Sequence, residues 1–354
     1  MQSRIRAHDV EAQAMIPDRR LSVAPMMDWT DRHERFFLRT ISRRTLLYTE
    51  MITTGAILHG DRDRILGYHP AEHPLALQVG GSDPAALAQV ARIAADMGYG
   101  EINLNVGCPS DRVQTGRFGA CLMAEPTLVA ECVAAMGEGG LPVTVKCRIG
   151  IDGRERYEDL AAFVATVRGG GVTSFTVHAR IAVLEGLSPK QNRDIPPLRP
   201  DEVHRLKAEN PDLEIVINGG IGSLDEALTH FEHVDGVMIG RAAYHDPWML
   251  AGADTRVFGA PSSLLTRRTA IERMAGYIED HVSAGGRVSE ITRHMLGLFQ
   301  NVPGARAWRR HLSEHAHLVG AGPEVLLAAA AHVPGEILDR PAIGKWDEVR
   351  VSTH

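Results

Sequence analysis

Glu101-Ile102-Asn103-Leu104-Asn105-Val106-Gly107-Cys108-Pro109-Ser110 is the stretch whose reading decides the fold. Its first half alternates polar and apolar residues, the period of a short buried strand. Gly107 and Pro109 then break the pattern and force a turn. Cys108 therefore stands on a loop just past a strand's C-terminal end, with the amides of Asn103 and Asn105 nearby. A lone cysteine is ordinarily a small buried hydrophobe. This one lies outside any apolar run, at the kind of strand end where α/β proteins collect their chemistry.

The bulk numbers bound what can surround that strand. A chain of 354 residues suits one large and one modest domain. A composition of 44% hydrophobic and 23% charged residues is that of an ordinary globular protein with a sizeable core. No apolar run approaches the length that spans a bilayer. Residues 1–20 mix Arg4, Arg6, Arg19 and Arg20 with Asp9, Glu11 and Asp18, so they read as a polar extension and not a signal peptide. The four cysteines, Cys108, Cys121, Cys132 and Cys147, show no CxxC spacing, which argues against a structural metal or a disulfide framework. A cytoplasmic protein is expected. The net charge of −6 means that any nucleic-acid binding must rest on a local basic patch.

Working outward from 101–105, short apolar strands recur at 21–24, 46–49, 75–79, 143–148, 174–178, 214–218 and 236–239. Helix-start signals fill the gaps: Ser82-Asp83-Pro84 before 85–97, Glu125-Pro126 before 127–136, and Ser223 before 224–231. Eight strands alternating with helices predict an α/β fold, a (β/α)8 TIM barrel over 21–250. A doubly wound sheet is disfavoured because no GxGxxG follows the first strand. After Trp248 the rhythm stops. Gly252, Gly259 and Pro261 suggest a linker over 251–263. Helical periodicity at 264–284, 289–300, 305–318 and 323–332 predicts a small all-α bundle over 264–340, with 341–354 as a tail.

In a barrel, the C-terminal ends of all strands share one mouth. Those positions hold Pro25-Met26, Glu50, Gln78, Asn105 with Cys108, Lys146, His178, Asn218-Gly219-Gly220 and Gly240-Arg241. So many polar groups at the end of a core call for a ligand or a network, since each unpaired one costs about 1–3 kcal/mol. The last two loops follow strands seven and eight, where barrels commonly hold phosphate on exposed N–H groups. Arg241 is placed to add a charge-assisted bond. Lys146 ends a Val-Thr-Val run and fits a Schiff-base nucleophile, a phosphate partner or an electrostatic tuner of a cofactor. His178 ends Phe175-Thr176-Val177 in the same way.

Four motifs together resemble the flavin-dependent tRNA-dihydrouridine synthases. They are Ala24-Pro25-Met26-Met27-Asp28-Trp29-Thr30-Asp31, Asn105-Val106-Gly107-Cys108-Pro109, Lys146-Cys147-Arg148 and Asn218-Gly219-Gly220-Ile221. Tyr48-Thr49-Glu50-Met51, Phe118-Gly119-Ala120 and Ser188-Pro189-Lys190-Gln191-Asn192-Arg193-Asp194 narrow the resemblance to the subfamily that reduces uridines 20 and 20a. It covers about residues 20–320. The resemblance implies FMN across the barrel mouth, contacted by Pro25, Met26, Gln78, Lys146 and His178. Its phosphate would rest on Asn218, Gly219, Gly220, Gly240 and Arg241. The resemblance further implies Cys108 as proton donor, Asn105 at the target nucleotide, NADPH as reductant, and Lys190, Arg193, Arg306 and Arg309 as tRNA contacts at the D-loop and elbow. A monomer without metal, membrane or protein partner is expected.

Arg306, Arg309 and Arg310 recur at i, i+3 and i+4, so they share one helix face, while Trp308 reads as bundle core. Two rivals stay open on the residues alone. One is a small-molecule FMN oxidoreductase of the dihydroorotate or dihydropyrimidine dehydrogenase type, which needs no arginine-faced bundle. The other is a lyase using Lys146 as a Schiff base, which would carry no flavin colour.

Overall fold

The computed structural model describes residues 17–110, 116–262 and 264–342. Nine parallel strands are present among them: β1 (Leu21–Val23), β2 (Leu46–Tyr48), β3 (Ile52–Thr53), β4 (Leu75–Gly80), β5 (Glu101–Val106), β6 (Val143–Arg148), β7 (Ser174–His178), β8 (Glu214–Asn218) and β9 (Gly236–Ile239). The order runs β2-β1-β9-β8-β7-β6-β5-β4, and β2 pairs with β4 (Leu47 opposite Leu75), which closes eight strands into a barrel. The two-residue β3 is an addition to the end of β4, with Ile52 opposite Val79.

Closure sorts the strand residues into two faces. Ile102, Leu104 and Val106 of β5, with Leu77, Val145, Val177, Ile217 and Val237, join the core between strands and surrounding helices. Each such side chain stabilises the fold by about 1.5–3 kcal/mol on burial. The alternate positions face the barrel interior, where Ala24, Leu46, Tyr48, Ala76, Val216 and Met238, with Met26 against them, form a small apolar cluster. The rest of that interior is polar.

The helix starts follow the local chemistry. Asp83 accepts from the Ala85 and Ala86 amides ahead of Pro84–Asp96, with Pro84 in the first turn, where its missing N–H costs nothing. Ser223 caps Leu224–His230 through the Glu226 amide at 3.0 Å.

Of the polar extension expected over 1–20, residues 1–16 lie outside the described part of the chain, and 17–20 meet the barrel. Arg19 is buried at the barrel floor, on Glu101 at 2.7 Å and Glu214 at 2.9 Å. The expected linker contains the helix Ala253–Arg256, and its Val257 and Phe258 are buried in the main core, because apolar side chains there find the barrel wall. Of the tail, 343–354 lie outside the described residues.

The C-terminal helices are Arg267–Ser283, Val288–Thr292, Ala305–His315, Pro323–Ala330 and Gly335–Leu338. Their Met274, Ile278, Trp308 and Leu312, with Phe299 from the connection before Ala305–His315, are continuous with the barrel core. Trp308 is fully buried, and its indole N–H donates to Met295 O at 3.1 Å. The unit is fastened beside the barrel mouth. Asp31 caps Arg32–Ile41 with one oxygen, and with the other it accepts from Arg293 at 2.5 Å and His294 Nε2 at 3.0 Å. Burial alone would raise the Asp31 carboxyl, but His294 and the cap amides hold it well below the usual range.

Candidate active site at the barrel mouth

Cys108 sits half-buried just beyond β5, and its loop is pinned from both sides. Asn105 Oδ1 accepts the Gly107 amide at 3.1 Å and the Cys108 amide at 2.9 Å. The Ala120 amide donates to Cys108 O at 2.9 Å, which accounts for Phe118-Gly119-Ala120 as a motif: Gly119 takes a φ of 74° to make that turn. The Cys108 thiol points at Ser110 Oγ, 3.5 Å away. Residues 111–115 lie outside the described part of the chain. Cys121 is half-buried like Cys108, but the remaining two cysteines differ in kind. Cys132 and Cys147 are buried, and burial pushes each thiol up to about 12.

Cations converge on this thiol. Lys146 is half-buried on β6 and donates to Asn218 Oδ1 at 3.1 Å, while Asn218 Nδ2 is held by Met238 O at 2.8 Å. Burial, with Arg148 adding to it, pushes Lys146 down to about 8, and Cys108 acts against that shift. Burial and then Arg148 and Lys146 hold His178 well below its ordinary range, so its imidazole is neutral at pH 7. Arg193 and Arg148 also feel Cys108 electrostatically.

Next to Lys146 and His178 the mouth carries a backbone cradle. Gly219 and Gly220 have φ of 110° and 80°, and their amides donate to no backbone carbonyl among the described residues. A Cβ on Gly219 would lie 2.4 Å from the His178 ring, and one on Gly220 would lie 2.3 Å from Leu198. Only glycine lets the chain pass there. The short helix Arg241–His245 begins at Gly240 with no side-chain cap. Glycine amides in this conformation, with the Lys146 ammonium close by on Asn218, suit an anion. The Arg241 guanidinium already donates to Asp194 Oδ1 at 2.8 Å, so it also ties down the loop that carries Lys190 and Arg193.

The family model for dihydrouridine synthases matches residues 22–333. The chain belongs to the dihydrouridine synthase family. Its sequence is 59% identical over 322 residues to a tRNA-dihydrouridine(20/20a) synthase of Shewanella oneidensis, covering 91% of this chain and 96% of that one. A protein of the same name from Vibrio vulnificus is 59% identical over 320 residues, 90% of this chain and 98% of that one. One from Synechocystis is 56% identical over 321 residues, 90% and 96%. Among solved structures, a 2-naphthoyl-CoA reductase complex aligns with a TM-score of 0.50 at 11% identity, over 68% of this chain and 50% of that one, a likeness of fold alone.

The fold brings Pro25, Met26, Gln78, Asn105, Cys108, Lys146, His178, Asn218, Gly219, Gly220, Gly240 and Arg241 toward one rim of the barrel. Lys190 and Arg193 are exposed on the loop over that rim. Arg306 and Arg309 lie instead on the helix Ala305–His315, Arg306 exposed and Arg309 half-buried with a weak bond to Gln300 at 3.5 Å.

Two residues of the rim escape a sequence reading. Arg148 is buried and donates to Gly107 O at 2.9 Å, Ile181 O at 2.8 Å and Asn192 O at 3.1 Å, joining three segments. Asn192, fully buried, takes the Val183 amide on Oδ1 at 2.8 Å and donates to Val183 O and Leu187 O, shaping the loop 183–192. Arg148 stood in a quoted motif, but its three acceptors are backbone carbonyls, which leave no mark on sequence.

Proposed function

We propose that this chain is a tRNA-dihydrouridine(20/20a) synthase that reduces the C5–C6 bond of D-loop uridines. FMN is held at the barrel mouth, NADPH is the reductant and Cys108 is the proton donor. The observation that carries this reading is the cysteine on its pinned loop at the same barrel mouth as a lysine, a neutral histidine and a glycine cradle.

The residues fit a flavin mononucleotide. The amides after β8 and β9 suit its phosphate. Lys146, with N–H groups to spare beyond Asn218, suits the electron-rich edge of the ring. Pro25, Met26, Gln78 and His178 complete the bed. When bound and reduced, FMN supplies the hydride that C6 of uridine receives. The protein's own part is at C5: Cys108 Sγ gives up its proton there, and the thiolate that remains stands among Lys146, Arg148 and Arg193. Asn105 orients the pyrimidine. The uridine must leave its stack to reach this depth, at a cost of a few kcal/mol. Lys190 and Arg193 hold the D-loop over the mouth, and Arg306 and Arg309 bind phosphates on the helical unit. We assign this work to a cytoplasmic monomer. No helix among the described residues is long and apolar enough to cross a membrane.

The test is Cys108→Ala. The variant should bind FMN and be reduced by NADPH as wild type, while tRNA-dependent reoxidation falls about 10²–10⁴-fold, the worth of a positioned acid. Unchanged turnover on tRNA sinks the assignment. Mapping dihydrouridine in tRNA from cells lacking the gene should show its loss at positions 20 and 20a.

A further inference from the structure

One hydrogen-bonded chain runs through the barrel interior from floor to mouth. At the floor, the buried Glu101 carboxylate accepts Arg19 Nε on Oε2 at 2.7 Å. Its Oε1 accepts the Tyr48 hydroxyl at 2.7 Å and the Thr144 hydroxyl at 2.5 Å. Burial and then the Glu101 charge push the Tyr48 phenol well up, so it stays a donor.

Every later link has its direction set by this one. Thr144 has given its only proton to the carboxylate, so toward Asn103 Nδ2, 2.8 Å away, it accepts. Asn103 Oδ1 then accepts from Gln78 Nε2 at 2.8 Å, and Gln78 Oε1 from Asn105 Nδ2 at 2.8 Å. Asn105 Oδ1 ends the chain on the Gly107 and Cys108 amides. A carboxylate cannot donate and a backbone N–H cannot accept. With both ends fixed, no amide between them turns over without breaking two bonds. Asn105 is left with one N–H to offer at the mouth and no lone pair, since both lone pairs of Oδ1 are taken.

We propose that Glu101 is a positioning residue for the reaction. Acting through Thr144, Asn103 and Gln78, it fixes Asn105 as a donor-only contact, so that the pyrimidine is met at a carbonyl oxygen. This rests on the functional reading above. As C6 receives hydride, the C5–C6 π pair moves to C5 and is shared with the carbonyl conjugated to it. The new C5–H bond takes the Cys108 proton, and the S–H pair stays on sulfur. An N–H aimed at that carbonyl binds more tightly as charge builds, which is the differential interaction that catalysis requires. In a wet or apolar interior, the Asn105 amide would present either end.

Thr144→Val tests this with little change of shape, because it removes both the gift to Glu101 and the acceptor for Asn103. Thr144→Ser keeps both. At saturating FMN, Thr144→Val should lower kcat for tRNA 10–100-fold with KM changed less than threefold, and Thr144→Ser should stay within threefold of wild type in both. A second measurement needs neither flavin nor tRNA. Because Asn105 Oδ1 holds the Cys108 amide, iodoacetamide should alkylate Cys108 several-fold faster in Thr144→Val than in wild type or Thr144→Ser, read by peptide mass spectrometry. Valine and serine variants that match in both measurements overturn the proposal. So does an equal loss in both variants, which would mark Thr144 as a packing residue only. A wild-type protein inert toward tRNA would overturn the functional reading instead, and the alkylation rates would still decide whether the chain orders the Cys108 loop.

Discussion

Lys146 shows how a single side chain would be set up for the flavin proposed above. Burial and Arg148 bring its pKa down to about 8 in the protein without ligand. An anionic or electron-rich group beside the ammonium raises that value again, so binding takes up a proton wherever the free protein has already lost it. The sign follows: affinity is full below about pH 8 and falls as pH rises above it. We predict that FMN affinity of the flavin-free protein, followed by quenching of flavin fluorescence, weakens between pH 7 and 9, by up to tenfold per unit above the midpoint. Lys146→Met should bind FMN more weakly and without this pH dependence. A sloping profile that survives in Lys146→Met assigns the titration to another group.

Among the elements, the end of β6 is where the loops of the mouth are gathered. Arg148 is buried, which lowers it to about 10, so it remains charged at neutral pH. One guanidinium spans carbonyls at 107, 181 and 192 because its donors fan out in a fixed plane. An ammonium is a point and cannot. Arg148→Lys should therefore raise amide hydrogen exchange across 180–194 and cut turnover on tRNA on the order of 10²-fold, the penalty of misplacing reacting groups by about 1 Å. Exchange in that segment identical to wild type would show that the loop is held by other means, with Asn192 and the Arg241–Asp194 pair as the remaining ties.

For the whole molecule the problem is an acidic protein, net charge −6, that on the proposed function must hold a polyanion. The attraction has to be local. Arg306 and Arg310 are exposed on one helix, with Arg309 half-buried between them, on a unit locked to the barrel mouth through Asp31, Arg293 and His294. Arg306→Ala and Arg309→Ala should raise the tRNA dissociation constant and reduce the salt slope by roughly one unit per phosphate contact, with NADPH-driven flavin reduction untouched. Lys190→Ala and Arg193→Ala should mainly slow turnover at saturating tRNA, since their loop lies over the mouth. Measuring both quantities at 50 and 200 mM salt separates the two pairs. Bundle variants that bind tRNA like wild type remove the helical unit from the tRNA grip.

What the sequence determined by itself was the alternation of the eight barrel strands with helices and the positions that follow the strand ends. Strand period, helix caps such as Asp83 and Ser223, and glycines at 219 and 220 are local effects, written within a few residues of where they act. The alternation in 101–105 showed two faces but not which of them met solvent. That was decided by pairing β2 with β4, which turned the polar face into a closed interior where Glu101, Asn103 and Asn105 line one hydrogen-bonded path. The burial of Arg19, the packing of Val257 and Phe258, and the three carbonyls on Arg148 were likewise decided only in tertiary structure. Each depends on groups distant in the chain becoming neighbours, and a backbone carbonyl looks the same at every residue.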